Sequence, residues 1–210
     1  MKIGVLKETV SGESRVAATP ETVKKMIALS HSVSIEAGAG IQASISDEDY
    51  QNNGADIVSR DQALKSDLLL MVRPLTEKEL TTLKSTQFLV GMLEPFNNEL
   101  QNLLKKQGVS AFALEALPRN TRAQSMDVLS SQANIAGYKA VILAADYYKK
   151  FMPMLMTAAG TVKAAKVIVL GAGVAGLQAV ATAKRLGAVV EASDVRPSVQ
   201  EQIESLGGKF

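Results

Sequence analysis

Three features of the 210-residue sequence predict an α/β protein built from two parallel-sheet domains, the second truncated at its C-terminus. Short apolar runs alternate with amphipathic stretches, which is the pattern of βαβ units. The run "DLLLMVR" (67–73) is continuously apolar, as expected of a strand covered on both faces. A glycine turn, "GAGVAG" (171–176), separates a β-branched run from a helical one.

The elements follow in order. "KIGVL" (2–6) reads as a strand. Thr19-Pro20 opens a helix, with Thr as N-cap, Pro at the first helical position, and Val23, Met26 and Ile27 as its buried stripe. "VSIEAG" (33–38) is the second strand, and Ser46-Asp47-Glu48 starts a helix ending near Gly54. After the strand at 67–73 come a helix at 76–84 and a strand, "FLVGML", at 88–93. A helix at 97–108 closes at Gly108, and "VSAFALE" (109–115) is the next strand. The first domain is expected over 1–126, with a long interdomain helix over 127–152. The start of the second domain is expected over 153–210. Only two strands are evident after Lys166, and a doubly wound nucleotide domain needs about six. The chain is therefore expected to stop inside that domain, leaving the edge of Val189–Ser193 exposed.

Bulk composition excludes several classes. An apolar fraction of 47% and a charged fraction of 21% suit a globular chain that buries a core. The net charge of +2, with no Lys/Arg cluster interleaved with aromatics, argues against a nucleic-acid partner. Without cysteine there are no disulfides, thiolate metal sites or cysteine nucleophiles, which fits a reducing compartment. The apolar run at the N-terminus is too short for a signal peptide. The uncharged stretch 167–183 reaches the lower limit of a membrane span, but a strand–glycine turn–helix unit gives the same hydropathy peak.

The most specific chemistry lies in "AAKVIVLGAGVAGLQAVATAKRLGAVVEASDVRP" (164–197). "KVIVL" is a strand, and Gly171, Gly173 and Gly176 make G-x-G-x-x-G at its end. A helix runs to Leu186, "AVVEAS" is a second strand, and Asp194 closes it 23 residues after Gly171. Gly171 permits the tight turn, Gly173 lets backbone amides approach a pyrophosphate, and Gly176 allows helix and strand to touch. The helix N-terminus offers oriented N–H groups. A carboxylate at 194 can accept hydrogen bonds from an adenosine ribose and repels a 2′-phosphate, so NAD(H) is expected over NADP(H). Arg196 works against that preference. The unit is Rossmann-like and predicts dinucleotide binding.

A second stretch, "PRNTRAQSMDVLSSQAN" (118–134), gathers Arg119, Arg122, Gln124, Asp127 and Ser130 directly after a strand. Loops at the carboxyl ends of parallel strands line ligand crevices. The residues alone leave two readings open: a ligand loop, or a solvated loop leading into a helix whose first turn favours Asp. The one histidine, His31, sits at a helix-to-strand turn and reads as structural or surface.

Together, "LKE" (6–8), "RVAATP" (15–20), "RAQSMDVLSSQ" (122–132), "GAGVAG" and "DVRP" (194–197) resemble the alanine dehydrogenase/pyridine nucleotide transhydrogenase family. Within it, the likeness is to the NAD(H)-binding component of proton-translocating transhydrogenase. The resemblance implies that Arg119, Gln124 and Asp127, with Ser130 beside them, position a nicotinamide. It also implies cofactor contacts from Asn120, Thr121 and Arg122. Contacts to the adenosine half would fall on Val174, Asp194, Val195 and Arg196. It implies NAD(H) on this chain, NADP(H) on a partner domain, a membrane-spanning partner that couples hydride transfer to proton movement, and a homodimer. The chain would then be cytoplasmic and peripheral to the membrane. No metal is implied. The sister activity, alanine dehydrogenase, calls for a substrate-binding Lys near 68–73 and a catalytic His in the next strand region. Here those regions read "LLLMVRPL" and "FLVGMLEP". Arg15 alone remains, as a substrate contact or a loop ion pair. A non-catalytic NAD-binding fragment is the other alternative.

Overall fold

Six parallel strands form one sheet in the order β3-β2-β1-β4-β5-β6. They are β1 (Lys2–Val5), β2 (Ser32–Glu36), β3 (Asp56–Val58), β4 (Leu68–Leu70), β5 (Phe88–Gly91) and β6 (Ser110–Ala113). The computed structural model describes residues 1–210 and divides them into two units, Met1–Met126 and Asp127–Phe210. The sheet belongs to the first. Ile3 pairs with Val33 on one side and Leu68 on the other, so the strand order reverses at β1 and β4.

Alternation along the strands supplies two apolar layers. Ile3, Val5, Val33 and Ile35 pack with Val23 and Tyr50, and Leu68 and Leu70 join that cluster. Leu69 and Leu89 face the other side, against Ala63, Leu80 and Leu100. The helices that supply these partners are α1 (Pro20–Ala28), α2 (Asp47–Asn52), α3 (Arg60–Ala63), α4 (Glu77–Leu80) and α5 (Asn98–Gln107). Burial of each large aliphatic side chain contributes about 1.5–3 kcal/mol.

Caps define the helix starts. Thr19 accepts from the N–H of Thr22 at 3.3 Å, as its place before Pro20 predicts. Ser46 and Asp49 form a reciprocal capping box at α2. The Asn97 side chain accepts from the N–H groups of Glu99 and Leu100, and Gly108 at φ +67° ends α5.

The structure differs from the sequence reading where elements are short. β3 and α3 have only three and four residues, too few to show a period. The helix read at 76–84 stops at Leu80, because the hydroxyls of Thr81 and Thr82 bond back to the carbonyls of Lys78 and Glu79, both at 2.7 Å.

The second unit begins with α6 (Val128–Tyr148), which ends at Lys149 in the left-handed region (φ +56°), short of Phe151. β7 (Leu155–Thr157) and β8 (Gly160–Val162) form an antiparallel hairpin that no turn dipeptide announces. β9 (Lys166–Leu170), α7 (Val174–Arg185) and β10 (Val189–Ser193) then make a parallel βαβ unit, followed by α8 (Gln200–Ser205). The apolar stretch 167–183 is thus a strand, a turn and a helix, and no helix of the chain is long and apolar enough to cross a membrane.

The expected open edge at Val189–Ser193 is corrected. Lys209 accepts from the N–H of Ala192 at 2.8 Å and donates to the Val190 carbonyl at 2.9 Å, so the chain returning from α8 covers β10. Exposure falls instead on β9, where Ile168 and Leu170 are 66% and 83% exposed.

Tyr50 ties the first core together. Its ring is fully buried, and its hydroxyl donates to the Ala18 carbonyl at 2.7 Å. Burial, then Asp47 and Asp49, push its ionisation up to about 12. Tyr50→Phe leaves the Ala18 carbonyl without that donor and is expected to cost about 1–2 kcal/mol in urea unfolding.

Candidate functional site

The glycine turn has the geometry a phosphate cradle needs. Gly171, at φ +94°, leaves β9 through the left-handed region. A Cβ at Gly176 would run into the Gly171 carbonyl oxygen, so only glycine fits where α7 meets the turn. At Gly173 a Cβ would meet nothing within 4 Å. That glycine fronts open space, as close approach of a ligand requires. Gly173 is also the N-cap of α7, with no side chain bonded to the first-turn N–H groups. Val174, the first helical residue, is 43% exposed. These residues fit a pyrophosphate at a helix N-terminus.

α6 braces this turn from within the second unit. A Cβ at Gly137 would strike the Ala175 carbonyl oxygen, so the two helices touch backbone to backbone. Asn134 donates to Gln178 at 3.2 Å beside that contact.

Asp194 follows β10 and closes on the turn. Its Oδ2 accepts from the Ala172 N–H at 2.7 Å and from Arg196 Nη2 at 3.0 Å. Its Oδ1 accepts from the Arg196 N–H and from Arg196 Nε, both at 2.9 Å. The Arg196 guanidinium, helped by the two backbone N–H groups, holds this carboxyl well below the usual carboxylate range. Val195 is 97% exposed.

In the first unit, the stretch after β6 is a series of tight turns. The Asn120 side chain accepts from the Ala123 N–H at 2.9 Å, and Gln124–Met126 forms one 3₁₀ turn. Arg119, Thr121, Arg122 and Gln124 are exposed. In the second unit, Asp127 is the N-cap of α6. It accepts from the Ser130 N–H at 2.9 Å and the Ser130 hydroxyl at 2.6 Å. The structure therefore joins Asp127 to Ser130 directly and gives Asn120 and Asp127 local structural work.

A further cluster, not legible in the sequence, fills the strand-order reversal of the first sheet. Glu8, after β1, accepts from the N–H groups of Val72 (2.6 Å) and Arg73 (3.1 Å), after β4. Burial raises its pKa. Glu13 accepts from Arg15 Nη2 at 2.6 Å and from Arg73 Nε at 3.1 Å. The hydrogen bonds from Arg15 hold the Glu13 carboxyl down to about 2. Nearby, Arg60 bridges Glu36 (2.7 Å) and Glu79 (2.5 Å). Of the two readings of Arg15, the ion pair is what the structure contains. The only trace in the sequence was the Glu-x-Arg spacing, and Arg73, 60 positions after Glu13, carries no local signal. His31 precedes β2, at the edge of the sheet opposite the loop that follows β6.

Fold and site together define an α/β chain with a dinucleotide-type βαβ unit in its second half. The chain belongs to the alanine dehydrogenase/PNT family: residues 4–136 match its N-terminal domain and residues 140–210 its C-terminal domain. It is 51% identical to the first of the separately encoded pieces of NAD(P) transhydrogenase subunit alpha from Rhodospirillum rubrum, over all of this chain and 57% of the relative. The crystal structure of transhydrogenase from Sinorhizobium meliloti superposes with a TM-score of 0.97 at 49% identity, covering 100% of this chain and 64% of that one. An L-alanine dehydrogenase structure gives 0.85 at 31% identity, covering 99% and 58%. This chain thus spans a little over half the length of those relatives.

The Glu13 network makes a pH-dependent contribution to stability. A carboxyl whose folded pKa is depressed stabilises the fold above its ordinary range, and that stability is lost as the pH falls toward the folded value. Glu13→Gln is expected to cost about 1–3 kcal/mol at neutral pH, since two guanidinium groups lose a charged acceptor. The gap from the parent should narrow as the pH falls from 4.5 toward about 2. Urea midpoints across that range measure it.

Proposed function

We propose that this chain is the NAD(H)-binding part of a proton-translocating transhydrogenase. In this reading, hydride passes between NAD(H) held here and NADP(H) held on a partner domain, and a membrane-spanning partner couples the transfer to proton movement. The observation that carries the reading is the glycine turn clasped by Asp194 at the start of α7, on a chain half-identical to a transhydrogenase alpha subunit.

Each group has a distinct task. The first-turn N–H groups of α7, with Gly173 leaving room, would bind the pyrophosphate. Asp194 would accept from the adenosine ribose, with Val174, Val195 and Arg196 around it. Arg119, Asn120, Thr121, Arg122, Gln124, Asp127 and Ser130 are assigned to the nicotinamide end. The exposed side chains of Arg119, Arg122 and Gln124 support that assignment, because their donors are not spent on the fold. Bound NAD(H) would supply the hydride. Transfer from one nicotinamide C4 to another moves no proton at the reacting carbons, so the chain's residues need only orient and exclude water.

The alanine dehydrogenase activity of the sister branch fits less well. Removing hydride from an amino acid needs a proton acceptor beside the reacting carbon. Here His31 lies at the far edge of the sheet, and Arg15 and Arg73 are engaged by Glu13.

Two measurements test the proposal. Nicotinamide fluorescence should show saturable binding of NADH and much weaker binding of NADPH, because Asp194 repels a 2′-phosphate. Preference for NADPH would assign the chain to the other side of the reaction. With an NADP(H)-binding partner supplied, Gln124→Asn or Asp127→Asn should slow hydride transfer on the order of tenfold to a hundredfold, with little loss of NADH affinity. Asn is a good N-cap, so Asp127→Asn keeps the start of α6. Equal losses in binding and rate would mean the residues only bind, and unchanged rates would remove them from the site.

A further inference from the structure

The carboxylate of Asp194 offers four lone-pair positions, and all four are occupied. Two are taken by main-chain donors, the Ala172 N–H on Oδ2 and the Arg196 N–H on Oδ1. These bonds hold the glycine turn and the chain after β10 in place. The other two, one on each oxygen, are taken by the fork of the Arg196 side chain, Nε at 2.9 Å and Nη2 at 3.0 Å. The Asp194 side chain is consequently only 6% exposed, while that of Arg196 is 57% exposed. The covering group is the solvent-facing partner of the pair, and the carboxylate is the anchored one.

A ribose presents its 2′- and 3′-hydroxyls as two donors side by side. The only acceptor positions left for them on Asp194 are the two that the guanidinium fork holds. The main-chain bonds can stay while the fork leaves. We propose that Arg196 is a latch on the ribose end of the dinucleotide site, a side-chain stand-in for the cis-diol that the cofactor must displace. The inference rests on the dinucleotide reading above and adds a specificity element to it. A ligand enters fully only if it replaces both donors of the fork. A 2′-phosphate or a 2′-deoxyribose supplies at most one of the two and leaves an oxygen of Asp194 without its partner. Selection for an unmodified ribose then comes from the pair Asp194–Arg196, and the latch lowers apparent affinity by the fraction of chains in which it is closed.

The pair is largely solvent-exposed on the arginine side, so it opens at modest cost. Removing the fork should therefore tighten binding by roughly threefold to tenfold, the factor expected when a closed state holds most but not all of the population. The experiment is a fluorescence titration of the 210-residue chain with NADH, for the parent and for Arg196→Ala. Tighter binding by Arg196→Ala supports the latch; equal or weaker binding overturns it. Absence of saturable NADH binding by the parent would overturn the dinucleotide reading and the latch with it. A second readout needs no variant. In the nitrogen-15 spectrum of the parent, the Arg196 Nε–H signal should move as AMP is added and move much less with 2′-deoxy-AMP. A signal that stays fixed at saturating AMP, or moves equally with both, overturns the latch while leaving nucleotide binding intact.

Discussion

A carboxylate accepting main-chain N–H groups from the neighbouring strand's loop recurs at the carboxyl ends of both sheets. Glu36 at the end of β2 takes the Lys7 N–H after β1, at 2.8 Å. Glu8 after β1 takes those of Val72 and Arg73 after β4. Glu115 after β6 takes those of Leu93 and Glu94 after β5, at 3.1 and 2.7 Å. Asp194 after β10 takes that of Ala172 after β9. Parallel strands run out of ladder partners together at one edge, and the amides just beyond would otherwise need water. An ionised acceptor makes the stronger bond there. Every loop with chemical potential in this chain leaves from such an edge, so its shape depends on these bonds.

That dependence gives Asp194 two jobs at once. It is a structural acceptor for the glycine turn and the residue assigned to the ribose, and the two draw on different lone pairs. Glu8 and Glu13 show the other outcome of the same device. There the acceptors and guanidinium groups satisfy one another at the strand-order reversal, the usual ligand crevice of such sheets. Charge that is balanced internally does little for a ligand.

The sequence made the long-period features legible. The strand–turn–helix–strand of 166–193, the Thr19 cap, α5 with its Gly108 stop and the apolar β4 each carry several agreeing local signals. β3, α3 and the β7–β8 hairpin carry none, because three or four residues cannot express a period and their stability comes from neighbours. The site divided along the same line. Glycine spacing and Asp194 were readable because their constraints act within one βαβ unit. The Glu13–Arg73 pair and the Lys209 contact to β10 join residues by tertiary packing, which leaves no spacing rule behind.

The loop after β6 illustrates why residue type alone leaves a functional reading open. Asn120 and Asp127 are explained by the turn and the helix cap they make, and a chain with no ligand would keep them. Arg119, Arg122 and Gln124 have no such explanation, since exposed polar side chains at a sheet's carboxyl edge add little to stability. A reaction that moves hydride between two like carbons asks for donors held at a fixed distance and for no acid or base. A chain whose one histidine lies at the opposite edge of the sheet is built for placement, and the arginines and glutamine of that loop are the groups left to do it.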